Sequence, residues 1–310
     1  MLLIGIKNTM SKEPSVSIIM NCYNGEEFLQ EALESVLSQT HKNWELIFWD
    51  NQSNDNSSTI LKSFNEPRFH YYYAEEHRNL YDSRNFAVQV SKGDFIAFLD
   101  TDDTWISNKL EIQLTYFKDP KVLLVYGNYW IRDQKESTFT KIYSKSLPVG
   151  KIARDLLRDY FVGLLTIIVR RGAFDELDNH FDPRYGIIGD FDFVIRLALK
   201  GRFAAVQEPI ASYRWHGNNM SILNQDKLIN EMETWYKEKS TNKEFSYIKE
   251  LLDLKNNITY LRGKYCIEIS DYFSAIKYFV YLPFSYCKLK LLILIIFPKH
   301  IVNYFLILKR

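Results

Sequence analysis

The sequence predicts an α/β fold: a mostly parallel sheet flanked by helices, with a C-terminal helical extension. Three observations point there. Short apolar runs alternate with amphipathic stretches through the first half of the chain. Clusters of polar residues fall where the apolar runs end, and from about residue 222 the pattern is helical throughout. The 310 residues are enough for one large domain or for a domain with a helical appendage, here divided as 1–221 and 222–310.

The elements follow in order. Residues 16–23 (VSIIMNCY) are a short apolar run of the kind that forms a buried parallel strand. The next stretch, EEFLQEALESVLSQ, sets Phe28, Leu29, Ala32, Leu33, Val36 and Leu37 on one helical stripe. WELIFWD is a second strand ending on Asp50, and SNDNSSTILKSF supplies cap-type residues and then a helix. FHYYYA reads as a strand, DSRNFAVQVSK as a helix and DFIAFL as a fourth strand. SNKLEIQLTYF predicts a helix with Ser107 as its N-cap, and VLLVYGNYW another strand. Residues 131–215 are less regular. They hold a helix at FDFVIRLALKG, closed by Gly201 as a C′ residue, and short strands at RFAAVQ and IASYRW. In such sheets ligands bind beyond the carboxyl ends of the strands.

Composition narrows the function. A formal net charge of +1 gives no support to a nucleic-acid partner. The aromatic share of 15% suits carbohydrate stacking, a membrane interface or simply a large core. Cys22, Cys266 and Cys287 are far apart and form no CxxC pair, which fits a reducing compartment. The N-terminal MLLIGIKNTMSKEP has too short an apolar stretch and no charged region for a signal peptide, so a cytoplasmic protein is expected.

Three strand ends carry polar chemistry. DTDD places Asp100, Asp102 and Asp103 together, enough to supply a hard divalent cation with one or two carboxylates and a sugar hydroxyl with another. An acidic turn capping the next helix would look the same. In DNQSND, Asp50 and Asn51 offer planar acceptors suited to a base edge, though the loop is also rich in turn formers. Tyr23 could stack on a base or serve the fold. Asp190 and Asp192 both lie in the first turn of a helix, where the dipole favours negative charge, and must point to different faces. One can face a cleft while the other caps or pairs with a cation. His216 in SYRWHGNN is a candidate metal or phosphate ligand, or a structural histidine.

Taken in order over residues 15–221, these motifs resemble the family 2 glycosyltransferases of the GT-A fold, inverting enzymes that use nucleotide-diphospho-sugars. The resemblance rests on SIIMNCYNGEEFLQEALESVLSQT, WDNQSNDNS, RNFAVQVSKGDFIAFLDTDD, GDFDFVIRLALKG and YRWHGNNMS, about two thirds of the chain. It implies that Asn21, Tyr23, Asp50, Asn51 and Arg84 hold the nucleotide. Asp100 and Asp102 would touch ribose and a Mn²⁺ or Mg²⁺ ion, with Asp103 and His216 as further metal contacts and Asp190 as general base. The chain departs from the family pattern at three places. Asn51 stands at the second acidic position of the base-reading motif, and Gly189 where many members have Glu. Tyr81 replaces the usual glycine two residues after Asn79.

The resemblance implies a nucleotide-sugar donor, most simply a UDP-sugar, and a glycan or lipid-linked acceptor. The tail suggests where the enzyme works. No acidic residue follows Asp271, whereas Lys277, Lys288, Lys290, Lys299, Lys309 and Arg310 are interleaved with LLILIIF and IVNYFLIL. Pro298, Lys299 and His300 break the apolar run short of a spanning length. An interfacial segment with lysines toward anionic headgroups is expected, and with it a peripheral position on the inner face of the cell membrane. A helical subdomain packed on the core or on a second subunit is the other possibility. A sugar nucleotidyltransferase would want a basic Gly-rich loop after the first strand, and NGEEF is acidic. A nicotinamide enzyme would want GxGxxG there. A scaffold without activity would have no reason to keep Asp100, Asp102 and Asp190.

Overall fold

The structure is a computed structural model that describes residues 15–297 apart from 134–138, 144–145, 218, 244 and 246. The expectations for the N-terminal leader and for Pro298, Lys299, His300, Lys309 and Arg310 lie outside the described residues. Apolar runs bracketed by turn formers produce β1 (Val16–Cys22), β2 (Trp44–Asp50), β3 (Phe69–Tyr73) and β4 (Phe95–Phe98), separated by α1 (Glu26–Leu37), α2 (Ser57–Ser63) and α3 (Leu80–Val90). Then come β5 (Thr104–Trp105), α4 (Lys109–Leu114), β6 (Val122–Asp133), β7 (Phe139–Ile142), α5 (Ala153–Arg158), β8 (Ile168–Arg170) and α6 (Arg171–Asp175). The chain continues through α7 (Gly189–Lys200), β9 (Arg202–Trp215), α8 (Met220–Leu223), α9 (Gln225–Ser240), α10 (Leu251–Glu268), α11 (Tyr272–Tyr281) and α12 (Tyr286–Ile296).

The described strands form one sheet in the order β3-β2-β1-β4-β8-β6-β9-β5, with β7 paired to β6. The four N-terminal strands are parallel, as the crossover helices require. Beyond them the sheet is mixed: β8 runs antiparallel to both β4 and β6, while β6 and β9 are parallel to each other. The β4 end therefore sits at the middle of the sheet, and the DTDD turn leaves from there.

Three local expectations are corrected. Ser107 is not the N-cap of α4; Asn108 occupies that position without a side-chain cap bond of its own, and the Leu110 N–H in the first turn is accepted by Gln39 Oε1 at 3.2 Å. Gly201 ends α7 in an extended conformation rather than a left-handed one. It is needed for space, since a Cβ there would fall 2.3 Å from Leu123 Cδ1. RFAAVQ and IASYRW are not separate strands but one 14-residue strand, β9. Pro209, which cannot donate to a ladder, sits opposite Asn128 where the β6–β9 register shifts, so its missing N–H falls at a bulge.

Helices on the two faces divide the core. One cluster, with Leu29, Leu33, Phe48 and Ile210, lies under α1. The other runs from Ile19 and Phe98 through Phe181, Phe193 and Trp235 to Ile258. Ile229, Trp235, Phe245, Ile248, Leu251, Leu254 and Ile258 are thus packed into the same cluster as residues of the sheet. A small separate cluster, Cys266, Ile267, Ala275, Leu282 and Leu291, holds α10, α11 and α12 together.

Candidate active site

The parallel strands bring their carboxyl ends to one edge, where a cleft of about 300 Å³ opens. Asn21, Tyr23, Asn51, His77, Arg78 and Lys227 are among its lining residues. Tyr23 follows the last residue of β1, is 56% exposed and meets His77 edge to face at 4.5 Å. Asn21 is buried, and neither polar atom of its amide has a partner among the described residues. Such a group costs free energy unless a ligand satisfies it.

Asp50 and Asn51 are more deeply placed than the sequence suggested. Asp50 is 1% exposed, and its carboxylate accepts from the Ser53 N–H at 2.7 Å and the Tyr71 hydroxyl at 2.8 Å. It therefore shapes the loop from beneath. Asn51 donates to the Arg78 carbonyl at 2.7 Å, and its Oδ1 accepts from the Arg78 N–H and the Ser83 hydroxyl. That clamp fixes the wall of the cleft formed by residues 77–83.

Arg84 comes from α3 and is 3% exposed, yet its guanidinium reaches Asp100 at the end of β4, whose side chain is 40% exposed. Asp102 and His216 meet at 2.9 Å, Oδ2 to Nε2, from loops after β4 and β9. Asn219 steadies the histidine by accepting its backbone N–H at 2.8 Å. Burial, and then the charge of Asp100, push the Asp102 carboxyl up, against the lowering effect of His216. Asp103 faces inward. It is 2% exposed, accepts the Arg214 N–H at 2.9 Å and is driven well up, first by burial and then by Asp102 and Asp100. Arg214 also bonds the Asp102 carbonyl and Glu31, so it braces the acidic turn against α1. The three carboxylates are thus separated: one on Arg84, one on His216 and one inside.

Asp190 stands in the first turn of α7, partly accessible, and accepts from the Tyr81 hydroxyl at 2.9 Å. Burial raises its carboxyl above the ordinary range, opposed by the Tyr81 hydrogen bond and by Arg84. Asp192 points the other way, as expected for its spacing. It is 1% exposed, bonds Trp235 Nε1 at 2.8 Å and Arg196 Nε at 2.7 Å, and pairs with Lys239. The loop before α7 is held from α9, where Glu231 accepts the N–H groups of Gly186, Ile187 and Ile188 at 2.8, 2.9 and 3.1 Å.

Sequence inspection missed several supporting residues. Asn85, beside Arg84, exchanges two hydrogen bonds with the backbone of Phe181 and ties α3 to the approach of α7. Glu231 and Lys227 lay in the segment assigned to the extension, where an amphipathic helix gave no hint of a site. Among the described residues no cluster of three or more His, Cys, Asp or Glu side chains could cage a metal by itself.

This α/β fold sets carboxylates at the strand ends and a second acidic group on a facing helix, and the comparisons with known proteins supply the class of enzyme. The family model described as Glycosyl transferase family 2 matches residues 17–177, more than half of the chain, and the chain belongs to that family as a glycosyltransferase. Two Escherichia coli proteins, WfgD and WfaP, are each described as a UDP-Glc:alpha-D-GlcNAc-diphosphoundecaprenol beta-1,3-glucosyltransferase. WfgD is 35% identical over 166 residues, 54% of this chain and 64% of its own length. WfaP is 35% identical over 215 residues, 69% of this chain and 82% of its own. Among solved structures, the mannosyltransferase PcManGT from Pyrobaculum calidifontis, in complex with GDP-Man and Mn²⁺, superposes with a TM-score of 0.60 at 15% identity. That match covers 86% of this chain and 74% of PcManGT, and shows the shared GT-A fold.

Proposed function

We propose that the chain moves a sugar from a UDP-sugar to a hydroxyl of a lipid-linked saccharide or glycan, in one displacement that inverts the anomeric carbon. The observation that carries this is the placement of Asp190: a partly accessible carboxylate on α7, linked through Tyr81 and Arg84 to the acidic strand end but not part of it. A single base and a single displacement give inversion. The names of WfgD and WfaP, with a UDP-sugar donor, a lipid-linked acceptor and a β product, support the same assignment.

In this scheme Tyr23 stacks on the base, the Asn21 amide finds its partners on the nucleotide, and Asn51 holds the wall. Arg84 positions Asp100 for the donor. Asp102 with His216 is a donor set that a Mn²⁺ or Mg²⁺ ion could use only if water and donor phosphates complete the shell, and these ions habitually bind that way. When bound, such an ion offsets the charge growing on the departing diphosphate. Asp103 is spent on the Arg214 backbone and is assigned to the fold. Asp190 takes the proton of the acceptor hydroxyl, a contribution of about 10²–10⁴-fold in rate.

The acceptor side draws on α11 and α12. Phe273, Val280, Tyr281, Phe284 and Tyr286 are each well over half exposed, and Lys277 and Lys290 lie among them with no carboxylate after Asp271. No helix of the described residues is long and apolar enough to cross a membrane. The combination suits an anionic bilayer surface, where lipid-linked acceptors reside. The test is incubation with a panel of nucleotide sugars and a diphospholipid-linked saccharide, with and without Mn²⁺. Acceptor-dependent release of nucleoside diphosphate is expected, with UDP-sugars preferred. Release from no donor under any condition would overturn the proposal.

A further inference from the structure

Two departures from the family pattern, Tyr81 and Gly189, meet in space. Tyr81 lies in the first turn of α3, its N–H and that of Asp82 accepted by the Asn79 side chain, and it is 3% exposed. Its ring lies directly on the backbone of residue 189. A Cβ there would fall 2.5 Å from Tyr81 Cγ and 2.6 Å from Cδ2, closer than real Cβ atoms come. A glutamate at 189 and a tyrosine at 81 therefore exclude each other in this arrangement, and the two changes amount to one exchange of volume.

That exchange delivers a hydroxyl to the base. Tyr81 Oη lies 2.9 Å from Asp190 Oδ1 and 2.8 Å from the Ile187 carbonyl, so its single proton is shared between two acceptors. The ring is fixed by Phe181 at 5.5 Å and faces the Arg84 guanidinium at 5.2 Å. Arg84 on α3, Tyr129 on β6 and Tyr160 after α5 are the other titratable groups that interact with Asp190. Glu231 on α9 is spent on the three N–H groups before α7.

Resting on the assignment of Asp190 as base, we propose that Tyr81 is its positioning residue. The hydroxyl pins Oδ1, so that Oδ2 is the oxygen presented to the acceptor. As the acceptor oxygen bonds to the anomeric carbon, the bond from that carbon to the diphosphate breaks and its electron pair leaves with the diphosphate. The acceptor proton passes to Oδ2. Tyr81 keeps its own proton throughout, and the Ile187 carbonyl takes a larger share of it once Asp190 is neutral.

The test compares Tyr81→Phe, Asp190→Asn and the double variant in the full chain. Tyr81→Phe keeps the ring, so its thermal midpoint should stay near the parent's. Its kcat should fall about 10–100-fold, as expected for losing a hydrogen bond to a charged group, with donor KM within about twofold. The acid limb of the kcat profile should move to higher pH, because a hydrogen bond favouring the carboxylate is gone. In the Asp190→Asn background, Tyr81→Phe should cost nothing further. An inactive Asp190→Asn beside a Tyr81→Phe with parental kcat and acid limb would sink the positioning role alone. An active Asp190→Asn would instead remove the base assignment. Gly189→Ala gives an independent check: it should lower stability in the parent, and in a Tyr81→Ala background it should cost much less. Parental stability of Gly189→Ala would contradict the packing exchange.

Discussion

Asp190 shows how one side chain can be tuned by its surroundings. Burial raises its carboxyl, and Tyr81 and Arg84 hold that rise in check. If Asp190 is the base, as proposed, it works only when ionised, so turnover should be lost as pH falls through this raised value, earlier than for an ordinary carboxyl. Asp190→Asn should reduce kcat at least about 10²-fold and erase the acid limb. Donor affinity, measured by calorimetry, should stay near the parent's. Lys109 is a second case with the opposite sign. It is 0% exposed, its Nζ has no hydrogen-bond partner among the described residues, and it lies over the Trp105 ring at 4.0 Å. Burial drives its pKa well below the usual value of 10.5. Between the lowered and ordinary values the unfolded chain binds more protons, so stability should rise with pH across that window. Lys109→Met should therefore raise the thermal midpoint at pH 7, with a gain of about 1–3 kcal/mol that shrinks toward pH 10. A lower midpoint for this variant at neutral pH would count against the unpartnered amine. Residue types such as Asp50, Asp102 and Asp190 were legible as chemistry. Their division of labour was not, because it depends on which oxygen meets which neighbour across the fold.

At the scale of elements, α3 and α7 are the pair that matters. Apolar periodicity located both, and the sequence correctly put Asp190 and Asp192 on different faces of α7. What it could not show is that α9 clasps the entry to α7. Glu231 gathers three backbone N–H groups, and Trp235 caps the buried Asp192. Glu231→Ala would leave those donors without their carboxylate, so a loss of about 1–3 kcal/mol in urea unfolding is expected. Turnover should drop with it, because that loop leads directly into the first turn of α7, where Asp190 stands; parental turnover in a destabilised variant would separate the two effects. The mixed half of the sheet escaped notice for a related reason. The strand β8 has only three residues, too few to show a period, and its antiparallel partners lie far away in sequence.

For the whole molecule, the sheet and residues up to about 258 share one core, whereas α11 and α12 attach through their own small cluster. Large apolar side chains stand on the outer surface of this appendage, with Phe273 on α11 85% exposed and Phe284, between α11 and α12, 102% exposed. Flotation with vesicles containing anionic lipid should carry the full chain upward, and Phe273→Ser with Phe284→Ser should weaken binding at least about tenfold without altering the thermal midpoint. Equal flotation of both proteins would remove the membrane role. The first 221 residues carried most of the motif information, whereas the part that α9 plays in the core was not legible, since only Ile229 and Trp235 of that helix are buried.

The clasp made by Glu231 also orders events in time. Translation delivers the strands, the DTDD turn and Asp190 before it delivers Glu231 and Trp235. Until then the three N–H groups of the loop before α7 lack the carboxylate that ties them. On the proposed assignment of Asp190, competence to transfer would therefore wait for the ninth helix to be made.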